Sequence, residues 1–193
     1  MTKNVGSAIL LIKDFVSSTK SDERFTVVFD EYAPPSQDNI TEWQQVIREE
    51  LQDPGYIIPQ QLLDVYSYTG GFELQWTFDT NNKRLSGTCR LSSLFGIYQR
   101  DDEADTPMRD CIKIARPFDV VSETKLVVIG FDEHAKHITQ MLFMDQNAKS
   151  AVPLQHTPAS YCVAAADHLG IYGWQLGRQD PSSEKLLKSA LGG

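Results

Sequence analysis

The sequence predicts an α+β fold, a mostly antiparallel central sheet flanked by helices. Three observations carry that prediction. Phe72, Leu74, Trp76 and Phe78 alternate with Glu73, Gln75 and Thr77, the period of two expected of a half-buried strand. Two apolar runs, Lys125 to Phe131 and His137 to Met144, flank the polar turn Asp132 to Lys136 and read as a central hairpin. Helical periods gather at both ends of the chain, one carrying Ile40, Trp43, Val46, Ile47 and Leu51, another Tyr161, Cys162, Ala164, Ala165 and Leu169.

Taken in order, residues 8–16 read as a short helix with Ile9, Leu11, Ile12, Phe15 and Val16. Phe25 to Phe29 is a β-rich run that Ala33-Pro34-Pro35-Ser36 breaks. A second helix is expected from Asn39, with Glu42 as its capping-box partner, and Asp53-Pro54-Gly55 ends it. Pro59 then opens a short amphipathic helix bearing Leu62, Leu63, Val65 and Tyr66, and Gly70-Gly71 closes it. After the Phe72–Phe78 strand, Asp79 to Asn82 turns the chain into a partner strand, Leu85 to Leu91. Residues 99–110 read as a polar, acidic loop. Thr157-Pro158 caps the last well-formed helix and Gly170 closes it; Asp180-Pro181 starts a short terminal one.

At 193 residues the chain has the size of one domain, which buries roughly two-thirds of the surface its unfolded form exposes. Residues 1–37 read as an N-terminal extension of that domain, a helix plus a strand, and residues 38–193 as its main body. The net charge of −8 and pI near 4.9 argue against a direct grip on nucleic acid, which needs a basic surface. The same charge suits solubility or a basic protein partner. Cys89, Cys111 and Cys162 are odd in number and never spaced as CxxC, so neither a disulfide framework nor a zinc ribbon is expected. The run Ala8 to Ile12 is short for a signal core, and nothing approaches the ~20 apolar residues of a membrane span. A cytoplasmic location is the expectation.

The order helix, Ile58-Pro59 step, helix, Thr69-Gly70-Gly71, then strands resembles the SUKH superfamily of the Smi–Knr type. The residues that carry the resemblance are Trp43, Val46 and Ile47, then Ile58-Pro59, Leu62-Leu63, Tyr66, Gly70-Gly71 and Trp76. Ile129-Gly130-Phe131-Asp132 and the Ser160 to Leu169 helix fit the same pattern, so the match covers about residues 38–175. Members more often carry Leu-Pro and Asn-Gly-Gly, and the first 37 residues have no counterpart. The resemblance implies a SUKH-like fold and a binding module without enzymatic activity or cofactor. Bacterial members are commonly cytoplasmic immunity proteins that block a cognate toxin, and fungal members act as signalling scaffolds.

Chemistry-bearing residues are sparse. Asp132-Glu133-His134-x-x-His137 is the best metal candidate, yet its spacing is that of a turn and not of a helical HExxH motif. A small metal-dependent hydrolase built on it is the enzymatic alternative to the binding module, and a regulatory scaffold the non-enzymatic one. Gly70-Gly71 follows its helix, whereas phosphate cradling needs a helix that starts after the glycines; their expected use is a left-handed backbone between helix and strand. Asp101, Asp102, Glu103 and Asp105 form either a solvated loop or a docking patch that speeds association with a basic partner. Trp43 and Trp76 fall on apolar faces. Trp174 reads as part of a packed terminal strand, or with Tyr172 as an exposed binding anchor.

Overall fold

The computed structural model describes residues 3–80, 83–98, 115–132, 136–177 and 180–191. Its strands are β1 (Phe25–Glu31), β2 (Phe72–Asp79), β3 (Arg84–Leu91), β4 (Ala115–Ser122), β5 (Lys125–Phe131), β6 (Ile138–Asp145) and β7 (Ser150–Leu154). They form one antiparallel sheet in the order of the sequence, so every strand pairs with its chain neighbours and β1 and β7 are the edges. The helices are α1 (Val5–Thr19), α2 (Gln37–Leu51), α3 (Gln60–Tyr66), α4 (Leu94–Tyr98), α5 (Pro158–Asp167) and α6 (Pro181–Ala190). Each contributes buried residues to the same core cluster as the inward side chains of the sheet, so the helices share one face of it.

Local chemistry explains the boundaries. Asn4 caps α1 by accepting from the Ser7 N–H at 2.9 Å, which starts the helix three residues earlier than the apolar period suggests. α2 starts at Gln37 because Ser36 is its N-cap. Asn39, and not Glu42, completes the capping box: its N–H donates to Ser36 Oγ and its side-chain oxygen accepts from the Ser36 N–H, both at 3.2 Å. Pro59 occupies the N-cap of α3, and that helix ends at Ser67, before the glycine pair.

The glycine pair has two separate duties. Gly71 sits at φ +118°, the left-handed backbone expected of it. Gly70 is not left-handed; a Cβ there would lie 2.2 Å from the Ala33 carbonyl oxygen, so its duty is close approach to the chain leaving β1. Thr69 ties the turn together, its hydroxyl accepting from the Gly71 N–H at 3.2 Å and lying 3.1 Å from the Gly71 carbonyl. Residues 1–37 are integral to this arrangement: β1 pairs along its length with β2, and α1 places Ile9, Ile12 and Phe15 in the core.

β2 alternates because only one of its faces is covered. β5 and β6 read as continuous apolar runs because Val128, Leu142 and Met144 form a second, smaller buried cluster on the opposite face. β4, β7 and α4 are additions to the elements expected from sequence. β4 carries two register shifts that leave Phe118 and Val121 unpaired in the ladder and send both into the core. Irregular pairing of this kind hides a strand from a period-two pattern, and the short β7 carries Pro153.

Candidate interaction surface

Trp174 is neither in a terminal strand nor exposed. Leu169 and Gly170 both take left-handed backbone, at φ 49° and 65°, and turn the chain from α5 back onto β3. There the Thr88 N–H donates to the Gly170 carbonyl at 2.9 Å, and Trp174 enters a 3-10 turn over Trp174–Leu176. Its indole is 5% exposed, stacked on His168 at 5.4 Å and packed against Tyr161 at 5.0 Å, with His156 edge-on at 6.2 Å. It closes the core. Burial lowers the His156 pKa, and the His168 imidazole adds to that shift.

Tyr172 is on the surface, 53% exposed. The Lys125 ammonium stands 4.7 Å from its ring centroid and donates to its hydroxyl, which raises the lysine pKa. Asp145 Oδ2 lies 3.6 Å from the same ammonium. The ring is thus held in place beside the Lys125↔Asp145 pair where β5 starts and β6 ends, a fixed aromatic presented to solvent.

The acidic residues Asp101, Asp102, Glu103 and Asp105 lie outside the described residues, as do Cys111, Glu133 and His134. Of the metal candidate, Asp132 and His137 are described. They close the β5–β6 connection: the Asp132 N–H donates to the His137 carbonyl at 3.0 Å, and the Asp132 carboxylate accepts from the Lys136 N–H at 2.7 Å. Among the described residues no three His, Cys, Asp or Glu side chains are grouped to hold a metal ion.

The most unusual polar group is one that sequence reasoning missed. Asp119 is fully buried; it accepts from the Tyr161 hydroxyl at 2.5 Å and from the Arg90 N–H at 2.7 Å. Burial raises its pKa against those bonds. It stands at the thinnest seam of the sheet, where Leu91↔Asp119 is the only register pair between β3 and β4. Its side chain there takes up an amide of the neighbouring strand. The signal in the sequence was a lone carboxylate between Phe118 and Val120 in an otherwise apolar run. Cys89 and Cys162, both buried nearby, have thiol pKa values pushed up by burial, the opposite of what a nucleophile needs.

Among the described residues the exposed features include a sheet face and two grooves. Thr26, Val28 and Asp30 of β1, Glu73, Gln75 and Thr77 of β2, and Ser86, Thr88 and Arg90 of β3 share the uncovered face. A groove of about 450 Å³ indents it beside Tyr32, the Glu73–Arg90 ion pair (2.8 Å) and Val120. A second, of about 470 Å³, lies between the start of α1, the end of α3 and the start of α5, with Lys3, Asp64, Tyr68 and Ser160 on its walls. Ser160 Oγ is 3.4 Å from His156 Nδ1, and that hydroxyl serves the Thr157 capping box, accepting from the Thr157 N–H at 2.9 Å. No family model, curated protein or solved structure matches this chain. Trp43, Ile58, Pro59, Gly70, Gly71 and Trp76 are the residues from which a SUKH-like pattern is expected.

Those residues form one frame. Trp43 packs against Phe95 at 5.8 Å, Ile58 is 1% exposed, and Trp76 is buried in β2. Pro59 starts α3, and Gly70-Gly71 lets the chain pass from α3 to β2 beneath Tyr32 and Ala33.

Proposed function

We propose that this chain is a non-enzymatic protein-binding module of the SUKH type, an immunity protein that neutralises a cognate toxin by direct binding in the cytoplasm. The observation that supports it is the frame just described, in which Trp43, Ile58-Pro59, Gly70-Gly71 and Trp76 all serve the architecture and leave the open sheet face and the grooves for recognition. The net charge of −8 fits a basic partner, whose approach it accelerates. Tyr172 supplies a fixed aromatic of the kind enriched at binding hot spots.

Co-expression with the toxin encoded beside the gene tests the proposal. Growth rescue and a one-to-one complex are expected; no protection against any neighbouring toxin overturns it. A low-salt pull-down from native extract separates this function from a scaffold, which retains several weak partners instead of one. Replacing Asp101, Asp102, Glu103 and Asp105 by Asn and Gln is expected to slow association and flatten its salt dependence while the fold remains stable.

A further inference from the structure

The two edges of the sheet are guarded unequally. β7 is five residues long and carries Pro153, a residue that cannot donate to a neighbouring strand. β1 has seven residues, no proline and no lysine, and its register with β2 is unbroken from Phe25↔Phe78 to Glu31↔Phe72. The Asp79 N–H donates to the Arg24 carbonyl and the Tyr32 N–H to the Gly71 carbonyl, both at 2.9 Å. Antiparallel alternation then gives the β2 side of the ladder to even-numbered residues, Thr26, Val28 and Asp30. The N–H and C=O groups of Val27, Phe29 and Glu31 point the other way, out of the sheet edge, together with the Phe25 carbonyl; the Phe25 N–H is held by Asp22 at 2.9 Å.

We propose that this edge is a strand-addition surface whose occupant is a second copy of the chain, with β1 pairing antiparallel to β1 about a two-fold axis through Val27. That register hydrogen-bonds odd residues to odd residues, the only groups the edge offers. It places Val27 opposite Val27 and Phe25 opposite Phe29, twice over, on the helix-covered side. Arg24 of each copy falls opposite Asp30 of the other. In the single chain Arg24 holds Asp22 through Nε and Nη2 and lies over the Phe78 ring, 5.4 Å from its centroid; in the dimer its side chain turns to the partner's carboxylate. Moving the axis to Val28 puts Phe25 opposite Glu31 and Arg24 opposite Tyr32, and loses both matches. Glu23 and Glu31 meet beyond the paired segment, where Lys13 already neutralises Glu31 at 2.6 Å.

Exposure agrees with this occupant. Val27 and Phe29 face the core yet are only half-buried, because among the described residues no strand flanks them on the outer side of the sheet. Val28 on the open face is 50% exposed. A single added strand is a small interface, so association in the micromolar range is expected. The pairing makes one sheet of fourteen strands, twice the seven of each chain, and leaves the Tyr172 side of the molecule free.

Sedimentation of the full chain from about 1 to about 200 µM at physiological salt, which screens the charge of −8 on each copy, reads the equilibrium directly. A reversible monomer–dimer transition is expected. Val27→Pro is expected to abolish it, because that N–H serves the outer edge and not β2. Asp30→Lys, at an exposed position, is expected to weaken the dimer at least about tenfold through the facing Arg24, while thermal melts show both variants folded. Should Val27→Pro fail to fold, Asp30→Lys and amide exchange at Val27 and Phe29 decide: protection must rise with concentration. A wild-type chain that stays monomeric at the highest concentration overturns the proposal. So does a dimer that neither variant disturbs.

Discussion

The indole N–H of Trp76 donates to the carbonyl oxygen of Leu169 at 2.7 Å, passing directly over Gly87. Gly87 is the cross-strand partner of Trp76, and a Cβ on it would sit 2.3 Å from the indole nitrogen and 2.5 Å from that same carbonyl. One bond thereby locks the hairpin of β2 and β3 to the turn after α5. Gly87→Ala must move the ring or the backbone, and a loss of about 1–3 kcal/mol is expected in chemical denaturation. Trp76→Phe keeps an aromatic ring but leaves the Leu169 carbonyl without its donor, for about 1–3 kcal/mol.

Asp119 offers a test with a defined sign. Its folded pKa is raised, burial being the main cause, so its contribution to stability is complete below the unfolded value of about 3.9 and is lost as pH rises through the folded value. Asp119→Asn keeps an acceptor for the Arg90 N–H, stays neutral at every pH and is expected to remove that pH dependence. Asp119→Ala strands the Tyr161 hydroxyl and the Arg90 amide, and is expected to cost about 2–4 kcal/mol more than the asparagine variant. Urea melts of the three proteins across pH 3–8 check both statements.

Tyr56 and Tyr98 share one hydrogen bond, oxygen to oxygen at 2.6 Å, with both side chains buried. Burial pushes the Tyr56 pKa up to about 12 and that of Tyr98 also upward. Either Tyr→Phe change leaves the other hydroxyl unpartnered, at about 1–2 kcal/mol, whereas the double change removes both polar groups. The double-mutant cycle is expected to show a coupling of about 1 kcal/mol.

His156 contributes to sensitivity on the acid side. Its folded pKa is lowered, so the unfolded chain binds the proton more readily. Stability is therefore present above about pH 6.5 and lost as pH falls through the lowered value. The groups that face it are the Ser160 hydroxyl, Tyr161, Trp174 and, across the indole, His168. Trp174 fluorescence is expected to report loosening of this corner on acidification, and His156→Gln to shift that midpoint downward.

Gly71→Val is expected to destabilise the fold by more than about 1 kcal/mol, since φ +118° suits no β-branched side chain. Gly70→Ala is expected to be at least as damaging, though for a different reason: the Ala33 carbonyl occupies the place of its Cβ.

Those two glycines show what could be read in advance. Gly71 announced a left-handed turn because it stood between a helical and a strand period, and periodicity is local. Gly70 was expected to share that turn and does not, and Gly87 carried no sign, since the atoms that exclude a side chain come from Ala33 in one case and from Trp76 and Leu169 in the other. Trp174 was placed wrongly for the same reason. Its three neighbouring glycines read as open chain, while the rings that enclose it come from His156, Tyr161 and His168.

The sequence by itself determined the α+β class, the alternation of β2, the β5–β6 hairpin and the caps of α5 and α6, because each depends on residues within a turn or two of one another. Tertiary structure alone decided the bulged path of β4, the burial of Asp119 at the β3–β4 seam, and which strand stands unguarded at the edge. Those outcomes depend on which backbone groups find partners across the sheet, and neither β4 nor the edge of β1 carries that information in its own residues.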